Sequence, residues 1–404
     1  MNPHDLSTTS LQPEPSQPRR FRIRTITAGV TLGEIAVNQA FETAVSFLQS
    51  ARESFEREGF EVQTTRIATE PLAGYLATVE PSLALEAIQE LDAAAVAAGL
   101  LLGLGPLIQQ DRYDPGFASW ASDLAGSTCN TSFSVVVAAP ETGAHSKAAQ
   151  TAAETIFAIS QIAANGEANF RFAAAANIPA GTPFFPVAHH SGADSFALGL
   201  ESAALVGEAF ADHSELSTAP AKLQQVLEEA LAGVDQVARK VANDTSRRFL
   251  GLDLSPAPGL DASIAAGIEA LTGQPFGAPA TVAACAAITR GLDRVQLTRC
   301  GYCGLMLPVL EDRVLAQRAT EGTYGVRELL LYSSVCGTGL DVVPLPGETP
   351  MAVLQGLIVD VAALATRLRK PLAARLLPIP GKQAGETVDF DNPHLTASVV
   401  MPVA

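Results

Sequence analysis

Apolar and polar residues along this chain switch repeatedly between a two-residue and a helical period, and each switch marks an element. Residues 22–28 (RIRTITA) alternate β-branched with polar side chains, which predicts a strand with one polar face. Phe41, Val45, Leu48 and Phe55 then recur at helical spacing within 38–58. Gly59 stops that helix, and 60–69 (FEVQTTRIAT) reads as the next strand. Residues 82–98 form a helical pattern with Ser82 as N-cap. The apolar run 93–108 is too short and too broken by Gly and Pro to span a bilayer, so it reads as a helix end followed by a buried strand.

The alternation continues with a strand at 130–139, a helix at 146–164, and a strand at 170–177 that leads into the loop 178–191. Helices are predicted at 195–210, 221–249, 259–272, 279–289 and 350–369, with closing strands at 371–378 and 395–402. The order predicts a β/α layered or barrel architecture. No repeat of fixed period interrupts it, so 21–404 reads as a single large domain with a helical lobe near 195–290. Residues 1–20, rich in Pro, Ser and Gln and without an apolar core segment, read as a disordered tail.

Composition sharpens this picture. Of 404 residues, 48% are apolar and only 17% charged, and alanine dominates the apolar share, as expected of Ala-rich helices covering a buried sheet. The net charge of −16 repels phosphate backbones and anionic lipid, which argues against nucleic acid or a membrane surface as partner. Five sparse cysteines fit reduced thiols in the cytoplasm.

Candidate chemistry concentrates between 298 and 345. Cys300 and Cys303 form a CxxC in TRCGYCGLMLP, and Cys336 follows in YSSVCGTGLD, after the apolar run 329–335 read as a strand. Glycines on both sides of a thiol permit close ligand approach and positive φ. No second CxxC or Cys/His pair completes a zinc site, and no helix follows the CxxC as in a dithiol redox motif. Cys303 and Cys336 are therefore candidate nucleophiles or proton donors, with a buried thiol in a tight turn the alternative for Cys336. Cys285 sits in an Ala-rich helix and reads as core, and Cys129 is ambiguous.

A second constellation, NIPAGTPFFPVAHH at 177–190, is a loop stiffened by three prolines that ends in two histidines. It suits acid/base work by one imidazole, with His190 the candidate. Arg24, Arg66 and Arg171 lie in strand-like segments and could bind an anion; Arg24 and Arg66 are assigned to a substrate carboxylate. Asn177, Thr182, Tyr302 and Thr338 complete the candidate substrate contacts. Asp253, Glu201 and Asp341 are candidate ligands for a divalent cation, Mg²⁺ or Ca²⁺, through oxygen; a turn or cap role is the alternative for each. Glu311, Asp312, Asp389 and Asp391 occupy similar turn-like contexts. No Walker A, Rossmann glycine, nucleophile-elbow or zincin motif occurs.

Together RTITAG (24–29), FRFAAAANIPAGTPFFPVAHH (170–190), LGLES (198–202), GLDLSPAP (251–258), GQPFGAP (273–279), GYCGLMLPVLED (301–312) and YSSVCGTGLDVVPLPGE (332–348) are similar to one family, known as domain of unknown function 711, or UPF0210. The resemblance spans about 21 to 395. It implies a ten-stranded β/α barrel resembling that of pyruvate formate-lyase and other glycyl-radical enzymes, with flanking Ala-rich helices. The family carries no established reaction. Arg299-Cys300-Gly301-Tyr302 echoes the glycyl-radical Arg-Val-x-Gly-Tyr motif but is one residue short. His189 stands where the family resemblance leads one to expect tyrosine, which leaves His190 the better acid/base candidate.

The expectation is a cytoplasmic enzyme that acts on a small carboxylate or amino-acid-like metabolite by lyase or transferase chemistry. A ligand-binding or regulatory protein on a former enzyme scaffold, or a glycyl-radical enzyme, are the alternatives. A homodimer is expected only from the prevalence of symmetric oligomers.

Overall fold

Two blocks of parallel strands, antiparallel to each other, make one ten-stranded sheet. A computed structural model describes residues 20–403 apart from 213 and 214; the expected tail, but for Arg20, lies outside the described residues. The first block contains β1 (Arg22–Val30), β2 (Val62–Thr69), β3 (Leu101–Ile108), β4 (Thr131–Ala139) and, past the short β5 (Gly143–Ala144) that folds back on β4, β6 (Phe172–Ala176). The second is split between the two sides. There β7 (Ser195–Glu201) pairs antiparallel with β1 and parallel with β8 (Arg248–Ala257), while β10 (Leu372–Ile379) pairs antiparallel with β6 and parallel with β9 (Gly339–Pro346).

β8 and β9 are the edges of this sheet, and they do not pair with each other. The segment between them makes an isolated bridge to each, Arg299 to Leu252 of β8 and Pro308 to Asp341 of β9. Strand pairing alone therefore gives a large mixed α/β sheet rather than a closed ladder. β11 (Thr387–Val388) and β12 (Ser398–Val399) form a separate ribbon, so only a fragment of the closing strand expected at 395–402 is present.

Helices cover the outer face: α1 (Gln39–Arg57), α2 (Ala73–Leu76), α3 (Pro81–Ala97), α4 (Phe117–Ser127), α5 (Ser146–Ser160), α6 (Ala203–Phe210), α7 (Ala219–Thr245), α8 (Ile264–Thr272), α9 (Thr281–Arg294), α10 (Arg313–Thr320), α11 (Val326–Ser333) and α12 (Met351–Leu368). The Asn38 side chain accepts from the N–H groups of Ala40 and Phe41 to start α1, and Gly59, at φ 85°, takes the left-handed turn that follows it. Ala148, Ala149, Ala152 and Ala153 of α5 are fully buried, the small face that lets a helix sit close to the sheet. α12 is apolar enough to cross a membrane by length and composition alone; here Leu354, Ile358 and Val361 are buried as it packs on β4, β10 and α5.

Four expectations need correction. α3 starts at Pro81 with Glu80 at its N-cap position, so Ser82 lies inside the helix and does not cap it. Residues 195–201 form β7, not the start of a helix, because the segment is wedged between β1 and β8 and buried on both faces, so its apolar run carries no strand period. Phe249 and Asp253 belong to the edge strand β8, so β7 and β8 place two sheet strands inside the stretch read as a helical lobe. The run before Cys336 is the helix α11, and Cys336 closes it, its N–H bonded to the Tyr332 carbonyl at 2.7 Å.

Two loops fill the inner face of the sheet, 177–190 and 299–310, and they meet. Phe184, Ala257 and Met306 pack with Tyr302, and Tyr302 also touches the cluster of Ala173, Ala175, Val187 and Ala373. The Pro183 carbonyl accepts from the Thr27 hydroxyl at 3.0 Å and from Arg66.

Candidate functional site

A cavity of about 590 Å³ opens at the end of the sheet where β1 and β2 begin and β8 ends. Because β7 runs antiparallel to β1, Arg22 lies opposite Glu201, and charged residues from opposite ends of different strands collect there. Four arginines line the cavity: Arg24, Arg66, Arg171 and Arg375.

Three of them are occupied. Glu311 accepts from Arg24 and from Arg375, each at 2.7 Å. Arg24 also binds Glu201 at 3.1 Å, and Arg375 binds Asp341 at 2.6 Å. Burial pushes the Glu311 carboxyl up, but Arg375 and Arg24 outweigh it and hold it below the usual carboxylate range. Arg171 donates to the carbonyls of Ala125 and Thr131 and to the Thr128 hydroxyl, which satisfies the C-terminal end of α4.

Arg66 differs. It is 4% exposed, its described partner is the Pro183 carbonyl, and its Nε has none. No carboxylate pairs with it among the described residues, and its guanidinium lies 5.4 Å from the centroid of the Phe185 ring. Burial, reinforced by the neighbouring Arg24 charge, pushes it down to about 9. A buried cation without a counter-ion costs free energy, which an incoming anion would recover.

Of the sequence candidates, Arg24 and Arg66 line this cavity, and Tyr302 packs against its Phe184 and Met306 walls. Asn177, at φ 55°, lines a separate cavity of about 290 Å³ at the opposite strand ends. Thr182 is buried with its hydroxyl on the Pro179 carbonyl at 2.7 Å, and the buried Thr338 hydroxyl has no partner; neither lines these cavities.

Cys303, Cys336 and His190 are not brought together at a cavity. His190 lies beside Gly29 and Ser195, at the far end of β1 from Arg24. Its Nε2 sits 3.0 Å from the Gly192 carbonyl and its Nδ1 3.3 Å from the Ser195 hydroxyl, and burial lowers the pKa of the imidazole. Cys336 is in the main apolar core. Burial and the nearby Asp253 push the Cys303 thiol up to about 12.

The glycines beside these thiols serve packing. A Cβ on Gly304 would fall 2.3 Å from the Gly337 Cα, so the two cysteine loops cross backbone to backbone. A Cβ on Gly301 would fall 2.2 Å from an Asp253 oxygen.

The proposed metal ligands are apart and committed elsewhere. Asp253 accepts from the N–H groups of Tyr302, Cys303 and Ser255 and from the Ser255 hydroxyl. Glu201 binds Arg22, Arg24 and Gln63, and Asp341 binds Arg375. Among the described residues no group of three or more His, Cys, Asp or Glu side chains is placed to hold a metal ion. The expected divalent-cation site is therefore not assembled from these residues.

Sequence reasoning missed Arg375, Phe170, Phe185 and Met306, and treated Glu311 only as a turn carboxylate. Arg375 had a readable signal: it is a lone arginine in the apolar run LAARLLPI, the same signature that singled out Arg24 and Arg66.

All five thiols are free, and only Cys129 is exposed. Iodoacetamide at pH 8 is expected to modify Cys129 well ahead of Cys303 and Cys336 in the folded protein, read by peptide mass spectrometry. Rapid modification of Cys303 would contradict its shielded, protonated state.

Comparison with known proteins agrees with the motif resemblance. The family model described as Uncharacterised ACR (DUF711) matches residues 16–392. A UPF0210 protein of Pyrobaculum islandicum is 31% identical over 387 residues, covering 90% of this chain and 84% of the relative. Those of Syntrophobacter fumaroxidans and Actinobacillus pleuropneumoniae serotype 5b are 27% and 25% identical, covering 91% and 95% of this chain and 88% and 91% of the relatives. With the family model spanning nearly the whole chain and relatives matched over most of their length, this protein belongs to the uncharacterised DUF711 (UPF0210) family.

Proposed function

We propose that this protein binds a small organic anion in the 590 Å³ cavity, with Arg66 as the anchor. The observation that carries this reading is the buried Arg66 guanidinium, which faces the cavity with no carboxylate partner among the described residues. The volume falls in the range of small-molecule sites. Each bridge from the 299–308 segment to a sheet edge supports a further reading, that β8, this segment and β9 complete a barrel-like enclosure around the ligand. Turnover by Cys303, Cys336 and His190 is the weaker reading, because none of them lines the cavity.

The test is thermal unfolding with acetate, benzoate, succinate and inorganic phosphate, for the wild-type protein and Arg66→Met. Ligand binding to the native state adds about 2.7 kcal/mol of stability at a hundredfold excess over Kd, which raises the midpoint. At least one of these anions is expected to stabilise the wild type and not the variant. Equal stabilisation of both proteins, or of neither, overturns the proposal.

A further inference from the structure

The cavity around Arg66 has features that narrow the ligand further, an inference that rests on the anion-binding reading. Phe170 and Phe185 pack as a tilted pair, their centroids 5.5 Å apart and their planes at 36°. The Arg66 guanidinium lies over Phe185 and that of Arg375 lies 5.1 Å from the Phe170 centroid, so a two-ring shelf is held between two cations. Phe184, Ala257 and Met306 add an apolar cluster to the same cavity. A ligand on Arg66 therefore meets aromatic and aliphatic surface on the side of these residues, while Gln63, Thr64 and Asn165 line the cavity elsewhere.

Charge limits the ligand from the other side. Of the four arginines at the cavity, Arg24 and Arg375 are neutralised by Glu201, Glu311 and Asp341, and Arg171 is spent on two carbonyls and a hydroxyl. One guanidinium is left for one negative charge. Both Glu311 oxygens are occupied by arginines, and Glu167, the other partly buried carboxylate at the cavity, already accepts from the Asn165 amide at 3.1 Å, so neither is a free partner for a ligand ammonium. Asp391 and His394 line the cavity but are exposed, consistent with a place at its mouth.

From these observations we infer that the ligand is a monocarboxylate with an aromatic or similarly flat apolar body, its carboxylate on Arg66 and its ring against the Phe170–Phe185 shelf. Dicarboxylates, phosphate esters and free amino acids fit less well. A planar carboxylate also matches the fork of a guanidinium.

Isothermal titration with benzoate, acetate, succinate, phenylalanine and inorganic phosphate tests the class. Benzoate is expected to bind roughly 10-fold or more tightly than acetate, and more tightly than the other three. Phe185→Leu is expected to weaken benzoate several-fold and leave acetate unchanged, while Arg66→Met removes both. If acetate and benzoate bind equally and both need Arg66, the aromatic class is wrong and anion binding stands. If succinate, phosphate or phenylalanine binds most tightly in an Arg66-dependent way, the class is likewise wrong. If no anion shows Arg66-dependent binding, the anion-binding reading itself fails, and this inference with it.

Discussion

Arg66→Met is expected to make the ligand-free protein more stable by roughly 1–3 kcal/mol while it weakens anion binding by about 10- to 100-fold. The two effects have one cause. Arg66 is a buried cation whose charge no described carboxylate offsets, so the fold carries its desolvation until a ligand arrives. Methionine fills similar volume without a charge, and the Pro183 carbonyl keeps the Thr27 hydroxyl as donor. Groups that destabilise a fold in the service of a site are a common reason that stabilising substitutions reduce function.

The pH dependence has a definite sign. Arg66 is pushed down to about 9 in the fold, well below the ordinary arginine range. Below about 9 both folded and unfolded chains carry the proton, and the penalty is fully present. Above about 9, and until the arginine of the unfolded chain itself titrates, the unfolded chain binds more protons, so wild-type stability rises with pH relative to the variant. Denaturant unfolding of both proteins at pH 7 and pH 10 should therefore show the advantage of Arg66→Met shrinking at the higher pH. A variant less stable than wild type at pH 7 would mean that Arg66 has a counter-ion after all.

Asp253→Ala is expected to cost about 3–5 kcal/mol and to leave binding measurable only if the protein still folds. Asp253 is completely buried, and its two oxygens receive four donors: the N–H groups of Ser255, Tyr302 and Cys303 and the Ser255 hydroxyl. Alanine orphans all four at once. It also frees the turn at Gly301 and Cys303, which have φ of 74° and 45°; Cys303 takes this left-handed conformation in spite of its side chain. Asp253→Asn keeps one acceptor oxygen but aims an amide NH₂ at N–H groups, so an intermediate loss is expected. Urea unfolding of the three proteins gives the order wild type, Asn, Ala. An alanine variant within 1 kcal/mol of wild type would show that the carboxylate does not organise the turn.

Asp253 also shows how a residue is misread from sequence. In GLDLSPAPG it looks like a turn carboxylate available to a metal, because Gly and Pro surround it. Two of its four donors, the N–H groups of Tyr302 and Cys303, lie about fifty positions away, on a loop whose path the local pattern does not encode. The cysteine loops mislead similarly. Gly304 and Gly337 look like ligand-approach glycines, whereas each is there for the other. A close backbone crossing and a ligand cradle impose the same residue type.

Within the sequence itself, apolar runs bounded by turn residues were enough to place β3, β4 and β10, and the amphipathic period placed β1, α1, β2, α3, α5 and α12. In the second group the burial asymmetry is written into the period. The sequence also pointed to Arg24 and Arg66, since an arginine in an apolar strand has to be accounted for, and its long motifs identified the family. Tertiary structure decided the rest. Whether 195–201 is strand or helix depends on neighbours contributed by β1 and β8, because a segment buried on both faces loses its periodic signal. Which arginine stays unpaired depends on Glu201, Glu311 and Asp341, carboxylates from distant parts of the chain. That choice, more than any thiol or histidine, sets what this cavity is able to bind.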